Sequence, residues 1–128
     1  MKVLFDTHAY LWAVTEDRRL SPAARKIFTA ADNDILLSVA SLWEILVKAE
    51  NGKLPFPSPV SPYIRAQLKR TSTAVLPILL PHVLQLEKLP SHHRDPFDRI
   101  ILAQAIEEDI PLVSVDKKFH LYPVEVLW

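Results

Sequence analysis

Residues 95–116 read DPFDRIILAQAIEEDIPLVSVD, and this stretch decides the fold. Asp95-Pro96 is typical of a helix opening, with a capping aspartate followed by proline at the first helical position. An apolar stripe then runs along one side of the predicted helix from Phe97 to Ala105. Leu112–Val115 has the pattern of a short buried strand, and Asp116 follows it directly. A helix that leads into a short apolar strand is the repeating unit of a parallel sheet covered by helices.

The same alternation extends over the whole chain, so we expect one α/β domain over residues 1–128 with a parallel, helix-covered sheet. The predicted strands are Lys2–Phe5, Ile35–Val39, Ala74–Leu79, Leu112–Val115 and an edge-like strand at Val124–Leu127. The predicted helices are His8–Val14, one opened by Ser21-Pro22, one through Leu42–Ala49 that stops at Asn51-Gly52, one from Ser61-Pro62 to about Arg70, Pro81–Leu89 and the helix after Asp95. A stiff connection is expected at Pro55, Pro57, Pro59 and Pro62.

Composition excludes several classes of function. The 128 residues contain no cysteine, which excludes disulfides, thiolate zinc sites and cysteine nucleophiles. The single glycine, Gly52, excludes the glycine-rich phosphate loops of nucleotide-binding folds. Fifteen basic and fifteen acidic residues balance, which argues against binding nucleic acid by bulk attraction. His92 and His93 are adjacent and no HxH or HExxH spacing occurs, so a histidine zinc site is not expected.

Four acidic residues fall where a predicted strand ends or a predicted helix begins: Asp6, Glu44, Asp98 and Asp116. In parallel sheets the ligand site lies beyond the carboxyl ends of the strands, and Asp6 and Asp116 both follow strands. A cluster of carboxylates at such an edge repels itself unless a cation lies among them. Mg²⁺ or Mn²⁺ takes oxygen ligands and keeps waters for a phosphate substrate. A metal-dependent phosphodiester-cleaving enzyme is therefore the leading hypothesis.

Three of these acids also have structural interpretations. Ser41 and Glu44 match a capping box, in which the glutamate reaches back to the backbone at the start of the helix. Asp95 is a good N-cap, which places Asp98 in the first helical turn, where negative charge suits the helix dipole. Asp116 is also suited to cap a turn. These alternatives stay open on the sequence alone.

Asp6 is the hardest of the four to explain structurally. It lies between the apolar run VLF and a mostly apolar helix, and burial of an unpartnered charge is costly. Ser114 is expected to point the same way as Asp116, because strand side chains alternate. Its hydroxyl would there orient a carboxylate or a bound water, or simply bond to the backbone. His8 is close enough in sequence to approach Asp6, although packing in the first helical turn is the more ordinary role.

Three blocks of sequence carry a family resemblance: VLFDTHAYLWAV, SVASLWEILVKAENGKL and HHRDPFDRIILAQAIEEDIPLVSVDKKF. Together they resemble the PIN-domain ribonucleases, and in particular their VapC-type toxin branch. The resemblance runs from Lys2 to the closing VEVLW, and the acidic positions of the family fall on the same four acids. It implies a PIN-like three-layer α/β/α fold with about five parallel strands and a Mg²⁺- or Mn²⁺-dependent endoribonuclease. It also implies a homodimer, a cognate antitoxin, and a structured RNA target such as tRNA or rRNA.

The expected chemistry is hydrolysis by a metal-activated water, which leaves a 5′-phosphate and a 3′-hydroxyl. Asp6, Glu44 and Asp98 are the expected ligands of one metal, and Asp116 is a further ligand or serves a second metal. Basic residues beside these acids are candidate phosphate contacts: Lys48, Arg94, Arg99, Lys117 and Lys118.

Other functions fit less well. A phosphotransfer receiver needs an acidic pair after its first strand, which Phe5-Asp6-Thr7 lacks, and a haloacid-dehalogenase phosphatase needs an aspartate where His8 stands. A non-catalytic PIN-like module that only binds RNA or protein remains the alternative. The chain has no run near the roughly 20 apolar residues that cross a bilayer. We therefore expect no membrane association and a cytoplasmic protein.

Overall fold

The computed structural model describes residues 1–56 and 58–128. Its sheet has five strands, all parallel, in the order β3-β2-β1-β4-β5. The strands are β1 Lys2–Phe5, β2 Asp34–Ser38, β3 Ala74–Leu76, β4 Leu112–Val113 and β5 Val126–Leu127. The helices are α1 Thr7–Val14, α2 Pro22–Thr29, α3 Val39–Glu50, α4 Val60–Arg70, α5 Leu80–Gln85 and α6 Pro96–Glu108, with 3₁₀ helices at Leu86–Lys88 and Lys117–Leu121. The predicted parallel α/β sheet is confirmed.

The first strand lies at the centre of the sheet, and its residues Val3, Leu4 and Phe5 are fully buried. Phe5 pairs with Leu37 on one side and with Val113 on the other. The chain order runs outward in both directions from β1, so the strand order reverses between β1 and β4. In open parallel sheets this reversal opens a crevice at the carboxyl ends of the strands, which is where ligands bind.

The two faces of β1 belong to two separate apolar cores. Val3 and Phe5 pack with residues of α1 and α2, including Tyr10. Leu4 points to the other face and packs with residues of α6 such as Ile101 and Leu102. Alternate side chains of one strand thus bury both faces of the sheet, which gives the three predicted layers.

Local signals set most of the helix starts that the sequence predicts. The Ser21 side chain accepts a hydrogen bond from the Ala24 amide at the start of α2, and the Asp95 side chain accepts one from Phe97 at the start of α6. Helix α3 ends at Glu50, with Asn51 as its C-cap. Gly52 follows with φ 72°, a backbone conformation that residues with a side chain rarely adopt.

The predicted capping box of Ser41 and Glu44 is wrong. Helix α3 begins at Val39, earlier than predicted, because the Ser38 hydroxyl accepts a hydrogen bond from the Ala40 amide. Ser41 therefore lies inside the helix, and Glu44 is free of any capping role. The second strand consequently ends at Ser38 instead of Val39.

Three strands are shorter than predicted, each for a backbone reason. The third ends at Leu76 because Pro77 has no amide hydrogen for the ladder. The fourth ends at Val113 as the Asp116 amide turns back to the Ser114 hydroxyl. The fifth starts at Val126 because the Val124 amide is used in a tight turn to the Tyr122 carbonyl.

Two helices also differ from their predicted limits. The helix predicted over Pro81–Leu89 divides into α5 and a 3₁₀ turn, Leu86–Lys88. Helix α4 starts at Val60, ahead of Ser61-Pro62, so Pro62 occupies the first turn, where an amide hydrogen has no helical partner. Pro57, part of the predicted stiff connection, lies outside the described residues. Among the helices of residues 1–56 and 58–128, none is long and apolar enough to cross a membrane.

Candidate metal-binding active site

The four predicted acids come from four elements that meet at the carboxyl edge of the sheet. Asp6 follows β1 and caps α1, and Asp116 caps the 3₁₀ helix after β4. Glu44 lies in α3, and Asp98 lies in the first turn of α6. Asp6, Glu44 and Asp116 all contribute charge that raises the pKa of Asp98, so the four carboxylates share one electrostatic environment.

Asp6 is a buried carboxylate whose two oxygens are both held. Oδ1 accepts a hydrogen bond of 2.8 Å from the Thr7 amide, and Oδ2 accepts one of 2.9 Å from the Ser114 hydroxyl. Burial raises the pKa of Asp6, the bonds from Ser114 and Thr7 lower it, and the charge of Glu44 raises it again, with a net rise. Ser114 also accepts the Asp116 amide at 3.1 Å, so one hydroxyl connects the ends of β1 and β4.

Glu44 is fixed by a hydroxyl and an ammonium group. The Thr7 hydroxyl lies 2.6 Å from Glu44 Oε1 and 2.8 Å from Ser41 Oγ. An ionised carboxylate can only accept, so the Thr7 hydroxyl donates to Glu44 Oε1, with Ser41 Oγ beside it. The other oxygen, Oε2, is paired with Lys48 one helical turn later. Thr7 thereby joins Asp6 through its backbone and Glu44 through its side chain.

Asp98 is the acid without such support. Within residues 1–56 and 58–128 its carboxylate has no hydrogen bond or ion pair, and it lines an open cleft of about 580 Å³ beside α6. Burial, followed by the charges of Asp6 and Asp95, raises the pKa of Asp98 to about 7. The ionised form of Asp98 is therefore disfavoured by burial and by the negative charge of its neighbours.

Asp116 is bonded to a buried histidine. His93 Nε2 lies 2.8 Å from Asp116 Oδ2, and the Lys118 amide donates to Oδ1 at 2.9 Å. Burial pushes the pKa of Asp116 upward, but the bonds from His93 and Lys118 outweigh it and hold the pKa below its usual value. On the far side of the ring, His93 Nδ1 lies 3.0 Å from the Tyr122 hydroxyl.

Ligand atoms of His93, Asp98 and Asp116 lie within 4.8 Å of one another. Carboxylate oxygens dominate the surroundings, with Asp6 and Glu44 nearby and one imidazole nitrogen at the margin. A donor set of this kind suits Mg²⁺ or Mn²⁺ better than zinc, which prefers nitrogen and sulfur. The unsupported, electrostatically disfavoured Asp98 fits a site that gains a divalent cation.

The predicted basic residues have different surroundings. Arg94 and Lys118 line the same cleft as Asp98. Lys117 is exposed at the start of the 3₁₀ helix. The guanidinium of Arg99 donates to three backbone carbonyls of the segment before α6, those of Leu86, Pro90 and His93. Arg99 thus supports that segment, and its phosphate contact stays a prediction without a contact in the structure to support it.

Sequence reasoning missed His93, Tyr122 and Thr7. The adjacency of His92 and His93 predicts that both cannot face one site from a regular element, but both line the cleft beside Asp98, with His93 buried and His92 exposed. No spacing rule joins His93 to Asp116, which lies 23 positions later. The sequence did carry a local signal for Thr7, because this residue has a hydroxyl and directly follows Asp6 at the start of a helix. His8 is exposed, with its ring 6.2 Å from that of Trp12.

Comparison with known proteins identifies the family of this chain. The model of the family described as PIN domain matches residues 3–125. The chain belongs to the PIN-domain family. It is 30% identical over 124 residues to "Ribonuclease VapC22" of Mycobacterium tuberculosis, which covers 94% of this chain and 93% of that protein. A shorter match, 41% identical over 54 residues, is to "Ribonuclease VapC16" of the same organism and covers 42% of this chain and 38% of that protein.

Solved structures share the fold of this PIN domain. A chain from the crystal structure of VapBC2 from Rickettsia felis, bound to a DNA fragment from its promoter, superposes with a TM-score of 0.69 at 16% identity over 100% of both chains. A chain from FitAcB of Neisseria gonorrhoeae gives 0.63 at 17% identity over 97% of this chain and 95% of that one. The predicted family and the three-layer PIN-like fold are therefore confirmed.

The position of Asp98 yields a stability prediction. The pKa of Asp98 is raised from 3.8 to about 7. Ionisation of Asp98 in the folded, metal-free protein therefore costs free energy, and this cost grows as the pH rises from about 4 to about 7. In EDTA at about pH 8, Asp98→Asn should therefore raise the free energy of unfolding by roughly 1–2 kcal/mol, after discounting the shift for solvent screening. The gain should shrink at about pH 5, where the native aspartate is already protonated.

Denaturant unfolding of both proteins at the two pH values measures this effect. Added Mg²⁺ should then stabilise the wild type more than Asp98→Asn, which reverses their order. A variant less stable than wild type in EDTA at the higher pH would contradict the repulsion argument.

Proposed function

We propose that this PIN domain is a Mg²⁺- or Mn²⁺-dependent endoribonuclease, the toxin of a toxin–antitoxin pair, and that residues 1–128 act as one catalytic domain. The observation that carries the proposal is the convergence of four carboxylates at the crevice between β1 and β4, with one of them unsupported. The ribonuclease name of a relative that spans nearly the whole chain supports RNA as the substrate class.

The metal would be held by Asp6, Glu44, Asp98 and Asp116, and it would supply a water acidic enough to act as a nucleophile near neutral pH. Asp6 and Glu44 would enter the site already oriented, since Thr7 and Ser114 hold their oxygens. Asp98 would be the ligand most dependent on the cation. If one metal binds, Asp116 would be a further ligand of that metal. If two metals bind, Asp116 would be a ligand of the second.

Basic residues in the cleft would position the substrate. Arg94 and Lys118 line the cleft next to Asp98 and are placed to bind the phosphates that flank the scissile bond. A water oxygen bonds to phosphorus, the bond from phosphorus to the 3′-oxygen breaks, and that oxygen takes a proton. The products are a 5′-phosphate and a 3′-hydroxyl, and the RNA 2′-hydroxyl has no part in the bond changes.

The metal dependence has a direct test. Cleavage of RNA should stop in EDTA and return with Mg²⁺ or Mn²⁺, and Asp6→Asn and Asp98→Asn should each lower the rate by at least about 100-fold, as loss of an essential electrostatic group does. Asp95→Asn is the matched control, because asparagine still caps α6 while the charge beside the site is removed. It should keep measurable activity.

Two outcomes would contradict the proposal. Cleavage that persists in chelator would exclude the metal mechanism, and equal losses for Asp95→Asn and Asp98→Asn would mean that the ligand in DPFD is misassigned. A protein that binds RNA without cleaving it under any metal would favour the non-catalytic alternative. Mapping of RNA ends in cells after brief induction identifies the target, for which we propose structured cytoplasmic RNA such as tRNA or rRNA.

The proposed homodimer has a candidate surface on α5. Four exposed large apolar side chains fall in residues 79–84; we define them as the α5 patch: Leu79, Leu80, Val83 and Leu84. Leu80 is 69% exposed and Leu84 is 57% exposed. The helix sequence LPHVLQ has no Asp, Glu, Lys or Arg. A two-fold interface brings one patch against its own copy, so the lack of like charges suits self-association.

Charge placed on the patch should separate the protomers. Leu80→Glu and Leu84→Glu should shift the mass in solution from twice 14.6 kDa toward 14.6 kDa, as measured by light scattering. Leu121→Glu is the matched control, since Leu121 is 59% exposed but lies on the 3₁₀ helix after Asp116. A wild-type monomer at working concentration, or equal shifts for all three variants, would contradict this interface.

The proposed antitoxin would act on the same carboxylates. One solved structure of similar fold is a toxin–antitoxin complex from Klebsiella pneumoniae, which matches with a TM-score of 0.63 at 19% identity over 94% of this chain and 92% of that one. An arginine fork matches carboxylate geometry and would compete with the metal. A cleft of about 500 Å³ next to α1, lined by Leu11, Trp12 and Phe56, offers an apolar seat for a helix of the antitoxin. Trp43, on α3, is 61% exposed and is a second candidate contact for the helix of the antitoxin.

The test is an antitoxin variant without the arginine that we propose to lie among the carboxylates. Because apolar contacts would remain, it should still bind the toxin but should inhibit cleavage much less than the intact antitoxin does. Binding is measured by calorimetry and inhibition by RNA cleavage. If the variant without the arginine inhibits cleavage as well as the intact antitoxin does, steric blocking is sufficient and the charge competition is wrong.

A further inference from the structure

His93 is a buried side chain on the segment before α6, and it bonds to one acid of the site without being one of the predicted ligands. We infer that His93, held by Tyr122, is a positioning residue that fixes the carboxylate of Asp116 for metal binding. This inference rests on the proposed metal site. It adds two residues that act through Asp116 and do not touch the metal.

The donor and the acceptor in each hydrogen bond of the His93 ring follow from the chemistry of Asp116. The ring lies 2.8 Å from Asp116 through Nε2 and 3.0 Å from the Tyr122 hydroxyl through Nδ1. An ionised carboxylate can only accept, so the hydrogen must be on Nε2. In the neutral ring Nδ1 is then an acceptor, and the Tyr122 hydroxyl donates to it. Tyr122 thereby selects the tautomer that donates to Asp116.

Packing prevents the ring from turning away. His93 stacks on Phe119 with ring centroids 4.5 Å apart and planes inclined by 19°. Tyr122 and Phe119 are themselves buried. From the other side, Arg99 donates to the carbonyls of Pro90 and His93, so the backbone that carries the ring is held by α6.

Asp116 needs this support because its side chain is partly exposed. About a third of it, 34%, is open to solvent, compared with 3% for Glu44. The Lys118 amide holds Oδ1, and His93 is the partner that holds Oδ2. Both Asp116 oxygens are thus held while one of them lies within 4.8 Å of an oxygen of Asp98. Outer partners that orient ligands in this way typically change metal affinity 10- to 100-fold.

Direct ligation by His93 is the competing arrangement. It would require Nε2 to lose its hydrogen and its bond to Asp116, and Nδ1 would then donate to the Tyr122 oxygen. The two arrangements differ in whether a nitrogen touches the metal, and they predict different behaviour for amide replacements of the histidine.

Three variants separate these possibilities. His93→Gln places an amide donor near the position of Nε2 and so preserves the bond to Asp116. His93→Asn is too short to reach Asp116 and keeps a polar group only near Nδ1. Tyr122→Phe removes a single hydroxyl from the far side of the ring and retains the buried aromatic group.

The measurements are Mn²⁺ affinity by calorimetry and the electron paramagnetic resonance spectrum of the bound ion, with thermal unfolding in EDTA as the check on folding. His93→Asn should weaken Mn²⁺ binding by about 10- to 100-fold, and Tyr122→Phe by a smaller factor, as outer-partner losses do. His93→Gln should restore the affinity to within about threefold of wild type, which a purely structural loss would not allow. The wild-type spectrum should show no nitrogen coupling to Mn²⁺.

Each other result overturns the inference. A folded His93→Asn protein that binds Mn²⁺ as tightly as wild type removes the positioning role. Nitrogen coupling in the wild type, with affinity lost in both His93 variants, makes His93 a ligand. Failure of the wild type itself to bind Mn²⁺ removes the proposed metal site, which is distinguishable from wild-type binding that survives His93→Asn.

Discussion

Repulsion among four carboxylates at one sheet edge is the constraint on which the rest of the site depends. The fold forces the acids together, because β1 and β4 are neighbours and α3 and α6 start or pass beside their ends. Like charges in a partly buried crevice destabilise the folded state unless something offsets them. The molecule offsets three of the charges with its own donors. Within residues 1–56 and 58–128 Asp98 has no such donor, and burial, followed by the charges of Asp6 and Asp95, raises its pKa to about 7.

The donors that offset these charges also define the geometry. Thr7 bridges Asp6 and Glu44, and Ser114 bridges Asp6 and the backbone of Asp116. These residues are small, buried and neutral, so they orient carboxylates without cancelling their charge. A candidate site built in this way stays negative while its carboxylates keep fixed orientations. Preorganisation of this kind is where much of the rate enhancement of enzymes originates.

Local sequence signals predicted what depends on neighbours in the chain. Asp95 and Ser21 cap their helices because capping needs only the next two or three residues. The capping box assigned to Ser41 failed for the same local reason, since Ser38 is an equally good cap three residues earlier. The acids were found because Asp6 and Asp116 follow strands and because Glu44 and Asp98 fall near predicted helix starts. His93 could not be found, because its relation to Asp116 and Tyr122 exists only after the segment before α6 has folded against the 3₁₀ helix.

The hydroxyl bridge from Ser114 to Asp6 joins positions 108 apart in the chain. Asp6 is translated near the beginning of the chain, whereas Ser114, which follows β4, is translated near its end. The pair can therefore form only after most of the chain has been synthesised, and the wall of the crevice that β4 supplies is completed late.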